Sequence, residues 1–310
     1  MTELLQHLVN GLSLGTIYAL VALGYTMVYG VLKLINFAHG DVYMVGAFAG
    51  YYLGAVLGTD RAPNVGLAAL VVLGAMAICA ALGFMIERFA YRPLRHRARL
   101  TSLITAIGVS FLLEFGFQLN PWFRRPVEFP PGPAPRFFPP LVDLGPALEL
   151  GDATVPRMDV VGFLVAIALM LGLNWIVYRT RFGVAMRAVS FDSQVAGLMG
   201  IPVNRIIAGT FMLGSALAAA AGIINASSRP RIEPLMGLMS GLKAFVAAVL
   251  GGIGSVPGAM AGGVLLGVVE EFVSGYTSSR YRDAIAFTVL ILVLLVRPEG
   301  LFGKGRVEKV

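Results

Sequence analysis

The chain has 310 residues, of which 57% are hydrophobic and 13% are charged, and its formal net charge is +7. Soluble domains carry charge on about a quarter of their residues. This composition, with a mean hydropathy of +0.80, therefore excludes a soluble protein and indicates a polytopic membrane protein.

Apolar runs of membrane-spanning length recur along the chain. A helix needs about 20 apolar residues to cross a hydrocarbon layer about 30 Å thick. Seven runs reach or approach that length: 8–31, 34–58, 65–86, 100–119, 159–178, 206–226 and 284–296. A Gly-rich apolar region, 241–272, lies between the last two. We predict an all-α polytopic membrane protein with about eight transmembrane spans, some of them broken or re-entrant.

Three polar residues, Asn36, His39 and Asp41, interrupt the second apolar run. Polar side chains inside a membrane are costly and often functional, so we predict that these three line a translocation pathway. The alternative is an interfacial turn whose side chains cap helix ends. One His and one Asp supply too few ligands for a metal site.

Glycines spaced four apart, such as Gly46, Gly50, Gly54 and Gly58, predict close helix packing. An isolated carboxyl, Glu114, lies near the outer end of the fourth run. It suits either a proton relay or a side chain that snorkels to the interface, and snorkelling is the simpler interpretation.

A proline-rich segment, 120–158, separates two halves of the chain, 1–119 and 159–310. Its ten prolines remove backbone donors and prevent helix continuation, which predicts an irregular external loop or small cap within a single permease domain, 1–310. Sequence around Ile35-Asn36 is loosely repeated around Ile224-Asn225. Two such breaks facing opposite sides would be typical of an inverted repeat, and chance similarity is the alternative.

The segment 183–205 is a polar, basic and helix-compatible connector between two apolar spans. It is too short for a catalytic domain, and it is suited to docking into a groove on a partner protein. A broken-helix core changes state only if some element biases it, and this connector would be that element. We predict that the coupling contacts involve Arg187, Asp192, Ala196, Gly197, Gly200 and Arg205.

The Gly-rich region contains a predicted helix break at 250–258. Gly251, Gly252, Gly254 and Pro257 oppose helix continuation there. Non-helical backbone at membrane depth must be buried in protein or line a cavity, so these four residues are also pathway candidates. Glycines 254, 258 and 262, with 263 and 267 offset by one position, predict close packing.

Three charged residues, Lys243, Glu270 and Glu271, accompany this region. Lys243 is expected to snorkel to the interface. The two glutamates would suit a proton relay in a carrier.

Basic residues concentrate in every second connector between spans. This holds if the region 241–272 enters the membrane and returns on the same side of it. Fourteen then share one face: Lys33, Arg88, Arg92, Arg95, Arg97, Arg99, Arg179, Arg181, Arg187, Arg205, Arg297, Lys304, Arg306 and Lys309. The positive-inside rule predicts an external N-terminus and a cytoplasmic C-terminus. The positive charge therefore reflects topology and not nucleic-acid binding.

Enzyme motifs are missing from the sequence. It contains no His-Glu-x-x-His, no Gly-x-Ser-x-Gly and no Gly-x-x-x-x-Gly-Lys-Ser/Thr loop. We predict no catalytic residues and no cofactor, and any ATP that powers transport must bind to another subunit.

Five motifs resemble the permease subunits of bacterial branched-chain amino acid ABC importers, closest to the LivH type. They are Gly24-Tyr-Thr-Met-Val-Tyr-Gly30, Ile35-Asn-Phe-Ala-His-Gly-Asp41, Glu87-Arg-Phe-Ala-Tyr-Arg-Pro93, 242–258 and Arg297-Pro-Glu-Gly-Leu-Phe-Gly303. The connector departs from the family pattern, since 191–196 keeps one acidic residue where family members often carry a pair.

The resemblance implies a heteromeric importer in the bacterial inner membrane. Its other parts would be a second permease of the LivM type, two ATP-binding subunits and a periplasmic amino-acid-binding protein. The resemblance also implies that the substrates are branched-chain or similar amino acids and that the chain contacts membrane lipid. The rival hypothesis is a secondary carrier or channel driven by an ion gradient, and an intramembrane enzyme is a weaker third.

Overall fold

A computed structural model describes residues 2–95, 97–122, 128–142, 145–150, 153–297 and 299–303. Its helices are α1 (Thr2–Leu32), α2 (His39–Leu57), α3 (Val65–Met85), α4 (Arg99–Phe117), α5 (Arg157–Arg179), α6 (Arg181–Phe191), α7 (Ser193–Leu198), α8 (Val203–Ser228), α9 (Met236–Gly251), α10 (Val256–Tyr276) and α11 (Arg282–Val296). A π-helical turn, Ile86–Tyr91, and a 3-10 turn, Arg92–Leu94, extend α3, and a second 3-10 turn, Ser279–Tyr281, precedes α11. The strands are β1 (Arg136–Phe137), β2 (Pro146–Leu150), β3 (Ala153–Pro156) and β4 (Arg231–Ile232).

The predicted all-α membrane fold is confirmed. Six described helical segments are long and apolar enough to cross a membrane: Glu3–Leu32, Val65–Leu94, Leu100–Phe117, Arg157–Arg179, Val203–Ser228 and Val256–Tyr276. The remaining predicted runs correspond to α2, α9 and α11, which have 19, 16 and 15 residues. The predicted run 34–58 begins its helix only at His39, because residues 33–38 form a non-helical break with Lys33 at a φ of 55°.

Two long helices, α1 and α8, form the centre of the molecule. Every residue from 14 to 28 of α1 is buried, and α8 is largely buried as well. By contrast, α3, α4 and α5 carry large exposed apolar side chains such as Leu73, Leu112 and Leu164. Apolar side chains on a membrane helix that are not covered by protein face lipid or a partner helix. The fold therefore has a close-packed centre and a lipid-compatible rim.

Glycines let α10 approach two neighbours at once. A Cβ on Gly263 would lie 2.4 Å from the Ala19 Cα of α1, and one on Gly262 would lie 2.2 Å from the Ala247 carbonyl oxygen of α9. Gly262 and Gly263 are adjacent in the sequence and therefore face different neighbours, α9 and α1. Small residues at both positions allow backbone contact with each helix. The predicted packing role is correct for these positions.

The glycine stripe of α2 has two roles. Added Cβ atoms on Gly46 and Gly50 would collide with Ala219 and Ile223 of α8. Gly58 has no atom within 4 Å of such a Cβ, and its φ of 68° ends the helix in the left-handed conformation. A packing role for Gly58 is therefore wrong, because the residue is a helix cap.

The proline-rich segment contains no helix among its described residues before Arg157, as predicted. It does contain short strands: β2 pairs with β3 in an antiparallel hairpin, and β1 pairs with β4, which follows α8. The structure thus adds a small β-structured cap to the predicted irregular loop. Arg157, predicted to lie in the loop, is the first residue of α5.

Candidate translocation junction and coupling surface

The first turns of α2 and α9 meet in the interior of the protein. A Cβ on Gly40 would lie 2.5 Å from the Gly237 carbonyl oxygen and 2.8 Å from the Gly241 Cα. We call these three glycines the helix-start junction. Helix N-termini carry partial positive charge, so two of them meeting inside a membrane protein form a local environment that favours an anionic group.

His39 lies on the α1 and α8 side of this junction. Its side chain is 1% exposed, and its ring packs edge-on against Tyr25 at 4.8 Å between centroids. The imidazole fills the space beside Gly24, with Gly214 of α8 close by. Its ring hydrogen-bonds to the Val21 backbone, whereas Nε2 has no hydrogen-bond partner in the described part of the chain. An unsatisfied nitrogen buried between three helices can accept or donate a proton when a ligand arrives.

Asp41 faces α4 instead. The Ser110 hydroxyl donates a hydrogen bond to Asp41 Oδ2 at 2.5 Å, and Glu114 lies one helical turn further along α4 than Ser110. Glu114 is 3% exposed, so the expected snorkelling to the interface is wrong. The α4 face that carries it consists of Ser102, Ala106, Ser110 and Glu114, which share one buried stripe because residues four apart align on a helix.

Asn36 lies in the break before α2 and is also buried. Its Oδ1 accepts a hydrogen bond from the Tyr91 hydroxyl at 2.9 Å, which fixes the break to the π-helical turn after α3. The capping alternative is wrong, because Ala38 precedes α2 and no side-chain hydrogen bond caps this helix start. The three predicted residues therefore contact three different neighbours around one break.

The second predicted break is present between α9 and α10. Gly252 and Gly254 have φ angles of 100° and 96°, which L-residues with side chains rarely adopt. Ser255 caps α10 by accepting a hydrogen bond from the Gly258 amide at 3.2 Å, and Pro257 occupies the second helical position. Gly252 is buried beside Gly251, whereas Gly254 and Pro257 are exposed.

Backbone hydrogen bonds from Leu301 and Phe302 hold this second break in place. Leu301 donates its amide to the Leu250 carbonyl at 2.8 Å, and Phe302 donates to the Gly251 carbonyl at 3.1 Å. Ile253 and Ile35 line the same narrow apolar crevice, so the two breaks are neighbours. The pathway role of the break glycines stays a prediction.

A buried charge cluster joins α9, α10 and α11. Lys243 contacts Glu270 at 2.7 Å and Asp283 at 2.6 Å, while Arg282 contacts Glu271 at 2.7 Å and Glu270 at 3.2 Å. Lys243 is therefore ion-paired inside the protein, and its predicted snorkelling is wrong. Buried charges require such pairing. Glu270 and Glu271 are therefore held in ion pairs and are not free to act as a proton relay.

The connector folds into α6 and α7. Among its predicted residues, Arg187 donates to the Val177 carbonyl and stacks on the Tyr178 ring, which holds α6 against α5. Asp192 caps α7 by accepting hydrogen bonds from the amides of Gln194 at 2.8 Å and Val195 at 3.0 Å.

Two of the four remaining predicted residues line a groove. Ala196 is buried, and Gly200 has a φ of 82° in the turn after α7. Gly197 and Arg205 line an open groove of about 840 Å³ together with Glu87 and Arg92 from the end of α3. The structure thus places Gly197 and Arg205 at one groove.

Sequence reasoning missed the apolar part of this surface. Phe191, Leu198 and Met199 are 92%, 88% and 78% exposed. The available signal was three large apolar side chains in a connector that also carries Arg187, Asp192 and Arg205. Exposed apolar patches mark interaction sites. We call these three residues the coupling patch.

Sequence reasoning also missed two links from the connector to the core. The Ser190 hydroxyl donates to the Gly30 carbonyl at 2.5 Å, which ties α6 to the end of α1 just before the first break. Arg95 contacts Glu87 and donates to Asn204 at 2.7 Å, which ties the end of α3 to the start of α8. Burial lowers the pKa of the Arg95 guanidinium, and the carboxylate of Glu87 opposes that shift.

Among the described residues, no group of three or more His, Cys, Asp or Glu side chains is placed to hold a metal ion.

Comparison with known proteins finds one family model, the permease component of branched-chain amino acid transport systems, matching residues 7–294. The permease protein BraD of Pseudomonas aeruginosa is 44% identical over 99% of this chain and 98% of its own length. LivH of Escherichia coli is 44% identical over 99% of this chain and 97% of its own length. A LivH protein of Methanocaldococcus jannaschii is 26% identical over 92% of this chain and 88% of its own length.

Proposed function

Because the chain belongs to the family of permease components of branched-chain amino acid transport systems, we propose that it forms half of the pore of an ATP-driven importer for branched-chain amino acids. Residues 1–310 act as one permease domain in the inner membrane of a bacterium, with the N-terminus outside and the C-terminus in the cytoplasm. The chain itself is not an enzyme. A second permease completes the pore, two ATP-binding subunits hydrolyse ATP, and a periplasmic binding protein delivers the substrate.

The observation that carries this proposal is the coupling patch and its connection to the core. Phe191, Leu198 and Met199 project from the connector, and Ser190 beside them binds the Gly30 carbonyl at 2.5 Å. Large apolar side chains so exposed are suited to a pocket on a partner protein. Movement of a docked partner would therefore reach the end of α1 and the break that follows it.

The helix-start junction supports a pathway role for Asn36, His39 and Asp41. The starts of α2 and α9 converge there, and discontinuous helices in transporters direct their N-termini at the substrate carboxylate. The buried, unsatisfied Nε2 of His39 adds a polar contact beside it. The break at 251–257 would be the second deformable segment, since its backbone glycines tolerate large φ and ψ changes, while Pro257 fixes the start of the next helix.

A transport assay in vesicles tests the proposal. The full complex is reconstituted, and leucine uptake is measured with ATP enclosed on the cytoplasmic side, with a proton or sodium gradient alone, or with neither. We expect uptake with ATP and binding protein and none with a gradient alone. Uptake driven by the gradient in the absence of ATP would instead support an ion-coupled carrier, for which the buried Asp41 and Glu114 would be the first candidates.

A further inference from the structure

A small polar cavity lies between the first half of α1, the start of α5 and the end of α8. Its volume is about 150 Å³. Polar side chains from each of these three places line it: Asn10, Ser13, Asp159, Asn225, Ser228 and Arg229. A cavity of this size and polarity holds several water-sized polar groups.

The cavity contains one acid and one base that do not pair with each other. Asp159 lies in the first turn of α5, and Arg229 directly follows the last residue of α8. None of the ion pairs in the described part of the chain includes either residue. A ligand with a single charge would be attracted by one of them and repelled by the other. A ligand that carries both an ammonium and a carboxylate group would compensate both charges at once.

Ser228 adds an unused hydrogen-bonding group to the same cavity. Its Oγ is buried and has no hydrogen-bond partner among the described residues. A buried hydroxyl without a partner costs free energy, which a polar ligand would recover. Asp159 and Arg229 also complement the dipoles of their own helix ends. That role does not require the two side chains to line one cavity, and it does not provide a partner for Ser228.

An apolar cavity of about 240 Å³ adjoins the polar one. The two cavities share Ser13 and Asp159 in their walls. Elsewhere the apolar cavity is lined by aliphatic and aromatic side chains, which include Val9, Leu12, Val160 and Phe163. Burial of a small aliphatic group in such a cavity is favourable. The carboxylate of Asp159 therefore lies where a polar and an apolar compartment meet.

We propose that the two cavities form a binding site for an aliphatic α-amino acid. The ammonium group of the ligand contacts Asp159, its carboxylate contacts Arg229, and its side chain lies against Phe163. A molecule of this class has its ammonium group next to the aliphatic chain, which matches the position of Asp159 between the two compartments.

This site is separate from the helix-start junction. It contacts α1 at Ser13, whereas His39 contacts α1 at Gly24, about 16 Å further along the helix axis. In the proposed orientation the site lies at the outer end of the protein, where substrate would arrive. Only this assignment to the outer end rests on the proposed function. Binding itself requires neither ATP nor a partner subunit, so it can be absent from a chain that still supports ATP-driven uptake.

Ligand titration of the full-length chain in lipid nanodiscs tests the proposal. Saturation-transfer NMR measures the affinity for leucine and for two analogues, without ATP or binding protein. We expect 4-methylpentanoate, which lacks the amino group, to bind about tenfold more weakly, because one charged hydrogen bond is lost. We expect 3-methylbutylamine, which lacks the carboxylate, to bind severalfold more weakly, since the exposed Arg229 is partly screened by water.

Substitutions assign each ligand group to its partner. Asp159→Asn should weaken leucine binding about tenfold and leave the already weak binding of 4-methylpentanoate unchanged, because that analogue has no ammonium group to lose. Arg229→Gln should weaken leucine binding and leave 3-methylbutylamine unchanged. A misfolded variant would lose both ligands of its pair. Asp60→Asn and Arg231→Gln, at exposed positions outside both cavities, are the matched controls and should bind leucine normally.

The apolar compartment has its own test. Leucine should bind at least tenfold more tightly than glycine, because its side chain is buried. Phe163→Ala should narrow this difference. Leu164→Ala, at the neighbouring position that is 60% exposed, should not change it.

Three results would each overturn the proposal: no leucine binding, equal affinities for leucine and both analogues, or leucine binding that Asp159→Asn and Arg229→Gln leave unchanged. A zwitterionic phospholipid is the competing occupant. If leucine does not bind and the same two substitutions reduce the phosphatidylethanolamine that co-purifies with the chain, the cavities hold lipid and the amino acid assignment is wrong.

Discussion

Gly40 and Gly237 are in backbone contact: a Cβ on Gly237 would lie 2.6 Å from the Gly40 carbonyl oxygen. The starts of α2 and α9 can converge only because both residues lack a side chain. We expect Gly40→Ala to separate the two helices and to lower the free energy of unfolding by about 1–3 kcal/mol, as overpacking does. Thermal unfolding of the purified chain in detergent measures this.

Gly108→Ala is the matched control for that substitution. Gly108 lies in α4, and an added Cβ would meet no atom within 4 Å. It should therefore leave the unfolding temperature unchanged or raise it slightly, since Ala favours a helix over Gly. Equal unfolding temperatures for Gly40→Ala and the unaltered chain would contradict the contact.

The coupling patch predicts a partner interface. We expect Leu198→Ala or Phe191→Ala to weaken binding of the ATP-binding subunits about thirtyfold, because truncating a buried apolar anchor costs about 2 kcal/mol. Co-purification and titration of the subunits measure the loss. Leu70→Ala, an exposed apolar position on α3, should leave that affinity unchanged. Equal affinities for all three variants would disprove a docking role for the patch.

Ser190 predicts a separation of docking from transport. Ser190→Ala removes the hydrogen bond to Gly30, which contributes about 1 kcal/mol, or about a fivefold change in a conformational equilibrium. We expect the complex to assemble and hydrolyse ATP normally while substrate uptake falls severalfold. Ser193→Ala, a nearby exposed serine, should change neither rate. If uptake and ATP hydrolysis fall together in Ser190→Ala, the link does not transmit motion.

The buried charge cluster predicts a large cost for removing its lysine. Lys243→Met leaves Glu270 with Arg282 alone, and we expect a loss of about 3 kcal/mol in the free energy of unfolding. Adding Glu270→Gln should recover part of this loss, because it removes the uncompensated carboxylate. Denaturant or thermal unfolding measures both variants.

An exposed ion pair is the control for the Lys243→Met prediction. Arg231 and Glu233 are 3.6 Å apart, and their side chains are 69% and 46% exposed. We expect Arg231→Met to cost less than about 1 kcal/mol, since water screens such pairs. A cost for Lys243→Met as small as this would show that the buried cluster does not stabilise the fold.

The sequence predicted the helices, the helix break at 250–258 and the connector, because hydropathy and glycine or proline content are local properties. It did not predict where Glu114 and Lys243 point. Distance along the chain from a span's end suggested snorkelling. Glu114 is instead buried on the α4 face whose Ser110 contacts Asp41 of α2, and Lys243 pairs with Glu270 of α10. Such pairings depend on helix rotation, which hydropathy does not encode.

The coupling patch was overlooked for a related reason. Phe191 and Leu198 read as ordinary apolar residues in a membrane protein, and only their exposure distinguishes them. Arg187 and Asp192 stand out in the sequence because they are charged, but Arg187 holds α6 against α5 and Asp192 caps α7. Composition drew attention to the segment, whereas three-dimensional packing separates its structural residues from its exposed ones.

The burial of α1 also has a consequence for biosynthesis. This helix leaves the ribosome well before α10, yet its glycine face closes on Gly263 and Gly267 of α10, more than two hundred residues later. Throughout most of translation it must stand in the bilayer with that face against lipid or a chaperone. Nascent chains arrested before α10 should therefore be recognised as orphaned and degraded, even though α1 is already inserted.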